Sequence, residues 1–109
     1  EEGRTVTEYR LTRQAMQDID QIWDYIGDKN DNPDAADRLV IRFHTTFARL
    51  AKSPGSGHRR DDLCPGMRVF PVGNYVVFYH PSTGGIDITG IVHARRNWTE
   101  MFDGGERQP

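Results

Sequence analysis

The chain has 109 residues, of which 36% are apolar, 28% charged and 10% aromatic. That is enough for one folded domain with a modest core and too little for two, and too apolar for a disordered chain. A formal net charge of −2 argues against a general nucleic-acid binder, while leaving room for a local basic cluster.

Cys64 is the single cysteine, which excludes an internal disulfide and suits a reducing compartment. No apolar run reaches membrane-spanning length and no signal-peptide pattern is seen, so the expected location is the cytoplasm. Val6 to Leu11 alternates and predicts a short first strand. Thr12 follows, with a hydroxyl suited to cap a helix. Ala15, Ile19, Ile22, Trp23 and Ile26 recur at the spacing of one helical face. Asp18, Asp20, Asp24 and Asp28 fall mostly off that stripe, as a solvated face. Asp20 and Asp24 stand one turn apart, but nothing nearby supplies further ligands in an ordered motif, so neither a metal nor a cofactor is expected.

Gly27 to Asp31 breaks the pattern, and Asn32-Pro33 restarts it with an N-cap and a first-turn proline. Ala36, Leu39, Val40, Phe43, Phe47 and Leu50 make a second stripe that Pro54-Gly55 ends. His44 reads as partly exposed packing. Two amphipathic helices with a short link predict an antiparallel hairpin. The stretch 53–66 is irregular, and the near-cancelling charges of His58-Arg59-Arg60-Asp61-Asp62 read as a solvated loop.

From Arg68 to Arg95 the chain reads as three consecutive strands. Gly73-Asn74 between two β-rich runs marks a two-residue hairpin turn. It sets Val72 opposite Tyr75, Phe70 opposite Val77 and Arg68 opposite Tyr79. A second loop over Pro81–Gly85 would set His80 opposite Ile86. Alternation then gives one face of Val69, Val76, Phe78, Ile86, Ile88, Gly90, Val92 and Ala94, expected as core. The other face carries Arg68, Phe70, Val72, Tyr75, Val77, Tyr79, Asp87, Thr89, Ile91, His93 and Arg95, expected to be the functional one. Trp98, Met101 and Phe102 predict a short terminal helix, and 103–109 a mobile polar tail. The fold class is α+β. A first strand and a helical hairpin pack on a mainly antiparallel twisted sheet, which ends in a three-stranded meander and a short C-terminal helix. It forms one domain over 1–109, with an ordered core over about 6–102.

Tyr9-Arg10-Leu11-Thr12, followed by Ala15, Asp18-Ile19, Ile22-Trp23 and Tyr25-Ile26, resembles the opening of the RelE/ParE toxin superfamily. The run Arg68-Val69-Phe70-Pro71-Val72-Gly73-Asn74-Tyr75-Val76-Val77-Phe78-Tyr79 resembles the ParE branch closely. So do Gly85-Ile86-Asp87-Ile88 and Val92-His93-Ala94-Arg95, and the likeness extends from Tyr9 to Phe102. The resemblance implies the toxin of a type II toxin–antitoxin pair, of the plasmid-stabilisation or chromosomal kind. Its implied partner is a small DNA-binding antitoxin whose C-terminal segment wraps the toxin in a hetero-oligomer. It implies neither membrane attachment nor strong nucleic-acid binding by the chain alone.

Two chemistries are known in the superfamily. The RelE branch is a ribosome-dependent mRNA endonuclease, which needs cations on the scissile phosphate and groups to move protons. Arg68 and Arg95 match part of that set, but Val76 stands where an arginine belongs, and no Tyr or His follows His93. The ParE branch is a binding inhibitor of DNA gyrase and needs no catalytic residues. This second reading is preferred; the ribonuclease, or an inactive toxin acting only in its antitoxin complex, is the alternative. The expected target-binding face is Arg68, Tyr79, His93, Arg95, Arg96 and Trp98, since Arg and Trp are common anchors. Arg96 replaces an acid found in many members. The expected antitoxin groove is Trp23, Ile26, Leu39 and Phe43, which an amphipathic helix could fill. Replacing Arg68 and Arg95 by alanine is expected to lower toxicity with stability nearly intact.

Overall fold

The computed structural model describes residues 8–96; the terminal helix expected around Trp98 and the tail lie outside them. A first strand, β1 (Glu8–Leu11), leads into helix α1 (Arg13–Trp23) and a π-helical turn (Asp24–Lys29). Helix α2 (Pro33–Lys52) runs back, and a 3-10 turn (Pro54–Ser56) leads to a two-residue strand β2 (His58–Arg59). Strands β3 (Arg68–Val72), β4 (Tyr75–Ser82) and β5 (Gly85–His93) follow. The five strands form one sheet in the order β1-β5-β4-β3-β2, with β1 parallel to β5 and the other pairs antiparallel. The chain is therefore the expected α+β fold, with β2 added inside the stretch read as a loop.

The caps behave as their chemistry dictates. The Thr12 hydroxyl accepts the N–H of Ala15 at 3.1 Å and the Asn32 side chain accepts that of Ala35 at 3.3 Å, each satisfying a donor the helix leaves orphaned. Gly73 takes φ +59°, which a two-residue hairpin turn needs and glycine supplies without strain.

The β3–β4 register is the expected one, with Val72 opposite Tyr75, Phe70 opposite Val77 and Arg68 opposite Tyr79. The next hairpin differs. Its turn is only Thr83-Gly84, Pro81 pairs with Ile86 and His80 with Asp87, so β4 runs two residues and β5 one residue further than a five-residue loop allows. The ladder then shifts between Phe78 and Tyr79, which pair with Gly90 and Ile88, leaving Thr89 as an extra residue. A bulge of this kind switches the parity of a strand. Ile86 and Ile88 before it and Ile91 after it therefore share one face.

That face is the principal core, and it corrects the expected assignment of the two sides. Val72, Val77, Tyr79, Ile86, Ile88 and Ile91 pack under Ala15, Ile19, Phe43, Phe47, Leu50 and Ala51 of the helices. The face expected as core holds a smaller cluster of Met67, Val69, Phe78 and Val92, against which Leu63, Cys64 and Val76 lie half-buried. Both half-layers are apolar enough to be buried, so alternation does not say which one the helices cover, and the register shift moves Ile86 and Ile88, expected as core and found there, from the side of Val69 and Phe78 to that of Val77 and Tyr79.

Candidate functional site: a cleft between the helical hairpin and the end of the sheet

A cleft of about 820 Å³ opens where the helical hairpin leans over the Gly73-Asn74 turn and the end of β5. Its apolar lining comes from Ile22, Ile26, Leu39, Ile91 and Val92, and its polar margin from Gln14, Asp18 and Gln21 of α1. Tyr25, Arg42, Tyr75, His93 and Arg96 close the other end. An aliphatic strip flanked by polar groups in nearly equal measure is what an amphipathic peptide segment requires.

Each wall is fixed from below. Tyr75 stands edge-on to the core ring of Phe43, centroids 5.8 Å apart, and edge-on to His93 at 5.2 Å. An aromatic series thus runs from the core to the rim, in the T-shaped geometry that ring quadrupoles favour. Burial pushes the Tyr75 phenol above its ordinary range, and Tyr25 facing it pushes the same way. Tyr25 itself is 57% exposed and is delivered by the π-helical turn. That turn is held by Trp23, whose ring packs on Gly27 so tightly that an added Cβ would lie 2.8 Å from it. The indole N–H of Trp23 donates to Asp37 of α2 at 2.8 Å. Asp18 closes the back of the cleft, accepting the N–H of Ile91 at 2.9 Å and one from Gln14 at 2.8 Å.

The structure divides the expected residues. Ile26 and Leu39 line the cleft. Phe43 has no exposed surface and so offers no groove wall, and half-buried Trp23 stands outside the cleft lining, tying the two helices together. His93 and Arg96 meet at the cleft's polar end, with Arg95 in the turn between them. The His93 ring accepts the Arg95 N–H at 3.1 Å, and the Arg96 N–H returns to the His93 carbonyl at 3.0 Å. Trp98 lies outside the described residues.

Arg68 and Tyr79 do not join them. They pair with each other at the far end of β3 from the Gly73-Asn74 turn, whereas His93 pairs with Tyr75 beside it. Tyr79 is fully buried. Its hydroxyl donates to the Pro54 carbonyl at 2.7 Å and accepts the Gly57 N–H at 2.8 Å, while Arg68 donates to the Gly57 carbonyl at 2.7 Å. Both residues serve to pin the turn that follows α2, because a buried backbone group without a partner is costly. Tyr79, with no exposed surface, therefore does not form part of a contact face as expected, while Arg68 is half-buried beside it. Tyr25, Arg42 and Tyr75 were not among the expected site residues. Arg42 does lie four residues from Arg38 on the polar side of a legible helix, but the π turn that presents Tyr25 leaves no comparable pattern.

The comparisons with known proteins agree with this architecture. The family model for the ParE toxin of type II toxin–antitoxin systems, parDE, matches residues 9–98. Toxin ParE1 of Caulobacter vibrioides is 33% identical over 89 residues, covering 82% of this chain and 91% of that protein. Putative toxin Y4kP of Sinorhizobium fredii is 32% identical over 95 residues, covering 85% and 94%. A solved structure described as a chromosomal ParDE TA system from P. aeruginosa superposes with a TM-score of 0.69 at 21% identity, over 83% of this chain and 98% of that one, a likeness of fold. The chain belongs to the ParE toxin family of type II toxin–antitoxin systems.

Proposed function

We propose that this toxin acts by binding DNA gyrase through the basic end of β5, and that a cognate antitoxin silences it by occupying the cleft. The observation that carries the reading is that the two surfaces adjoin. His93 and Arg96 line the polar end of the cleft while Arg95 stands exposed between them. A segment laid over Ile22, Ile26 and Leu39 and ending at Tyr25 and Arg42 would cover His93 and Arg96 as well. Neutralisation then follows from occlusion, with no change of shape in the toxin.

The antitoxin segment suited to this site is amphipathic. Its apolar side would face Ile26, Leu39 and Ile91, and an acid or amide would reach Arg42 and Arg96. Burying such a segment must outweigh the entropy of ordering it, which a cleft of this size with an aliphatic strip of Ile22, Ile26, Leu39 and Ile91 can support.

The test is a gyrase supercoiling reaction with the purified chain, run beside translating ribosomes supplied with mRNA. Inhibition of supercoiling with accumulation of cleaved DNA, relieved by the antitoxin, is the expected result. Ribosome-dependent mRNA cutting with unimpaired supercoiling would replace the reading with a nuclease.

A further inference from the structure

The outward face of α2 carries a stripe of cations of which the cleft takes only one, Arg42. Between Arg38 and Lys52 the helix contains four cations, Arg38, Arg42, Arg49 and Lys52, and no carboxylate. Their spacings of four, seven and three residues place them within roughly 80° of arc at about 100° per residue. They form a straight stripe of about 21 Å at 1.5 Å per residue, on the side opposite Phe43, Phe47 and Leu50. All four residues are exposed. Among the described residues none of these side chains has a hydrogen-bond or ion-pair partner. Arg59 and Arg60, by contrast, are each matched by an aspartate. A formal charge of −2 therefore hides a concentrated cationic line on a rigid element.

Hydroxyls accompany it. Thr45 stands exposed within the stripe. The C-terminal end of the stripe opens on a cavity of about 340 Å³ lined by Thr46, Arg49, Lys52, Ser53 and Ser56 together with Leu50 and Phe70. Arginine, lysine, serine and threonine are the side chains that contact nucleic-acid phosphates. A protein partner would call for a central apolar or aromatic anchor, and the outer face of α2 offers only Ile41, 65% exposed. A single-stranded partner would call for a series of aromatic stacking platforms, whereas the stripe meets the half-buried ring of Phe70 at one end.

We propose that the outer face of α2 is a docking surface for the phosphate backbone of duplex DNA, read without regard to sequence. The surface is distinct from the basic end of β5 and would hold the toxin against DNA in whatever complex it forms. Contact with four phosphates sets the salt dependence, a log–log slope of about −3.6.

The test is fluorescence anisotropy of a labelled duplex of about 20 base pairs, one and a half to two helical turns, titrated with the full chain over a series of salt concentrations. Binding at low salt with that slope is expected, and Arg38→Gln with Arg49→Gln should halve the slope to about −1.8. Arg13→Gln with Lys29→Gln, which removes the same charge elsewhere, should leave the slope unchanged. Circular dichroism melts of both pairs verify the fold, all four residues being exposed. No binding at low salt, or equal slopes in the two pairs, would overturn the proposal. So would stripe-dependent binding of polyglutamate or of single-stranded RNA in preference to the duplex.

Discussion

Asp18 on α1 accepts the backbone N–H of Ile91 on β5 at 2.9 Å, across 73 positions of sequence. β1 pairs with β5 only as far as Leu11 and Ile88, and Thr12 extends the contact as a donor only, its N–H to the Ile88 carbonyl at 3.0 Å and its hydroxyl to the Thr89 carbonyl at 3.3 Å. The carboxylate takes the place of the missing strand at the sheet edge and sets the back of the cleft. Asp18→Ala leaves a part-buried N–H without its partner, at a cost of about 1–3 kcal/mol. Chemical denaturation should show that loss, and amide exchange at Ile91 should accelerate more than at Val77 in the middle of β4.

Arg68 and Tyr79 give a prediction opposite in kind to the one their alternation suggests. Tyr79→Phe removes the partner of both the Pro54 carbonyl and the Gly57 N–H and should lower stability by about 1–3 kcal/mol. Arg68→Ala should also cost stability, since its guanidinium holds the Gly57 carbonyl. Denaturant midpoints of the two variants measure this. Any loss of toxicity in either would then follow the loss of fold rather than of a target contact.

Acid should loosen the β2–β3 connection before the core. A backbone N–H from Gly66 and then the Arg59 guanidinium hold Asp61 below the usual carboxylate range, and a hydrogen bond from Arg60 does the same for Asp62. Lowered folded-state values mean that the stabilisation is complete above the ordinary value of 3.8 and fades as pH falls below it. Both carboxylates are exposed, so the effect is local. Proton NMR should show Gly66 losing its bonded shift as pH falls below that value, while Ile88 is unmoved. At the alkaline end the sign reverses. Burial raises the Tyr79 phenol, opposed by the Gly57 N–H and by Arg68, so its contribution is intact below pH 10.0 and declines as pH rises through the folded value.

How much of this was legible in the sequence depends on the range of the interaction that decides each feature. The helical hairpin was, because caps at Thr12 and Asn32 and stripes of period 3.6 are local. The β3–β4 register was, because Gly73-Asn74 admits one short turn. The face assignment was not: the extra residue at Thr89 reverses parity halfway along β5, and no residue type announces it. Tyr79 was read as an exposed anchor because its two hydrogen-bond partners lie 22 and 25 residues away. The site was half legible for the same reason. Ile26 and Leu39 follow from helical periodicity and His93 and Arg96 from their place after β5, whereas Tyr25 reaches the cleft through a π turn that depends on Trp23 packing against Gly27.

The division of labour around the cleft is most directly tested by two variants carried through one assay, gyrase-dependent cleavage of plasmid DNA with and without antitoxin. Leu39→Glu places a charge in the apolar floor, so it should trap cleaved DNA as the parent does and resist neutralisation, needing at least ~10-fold more antitoxin, equivalent to about 1.4 kcal/mol. Arg95→Ala, outside the cleft lining, should bind antitoxin normally and trap at least ~10-fold less cleaved DNA at equal concentration. Reciprocal losses of this kind are the predicted result; two folded variants that both poison gyrase and both respond to antitoxin like the parent would contradict it.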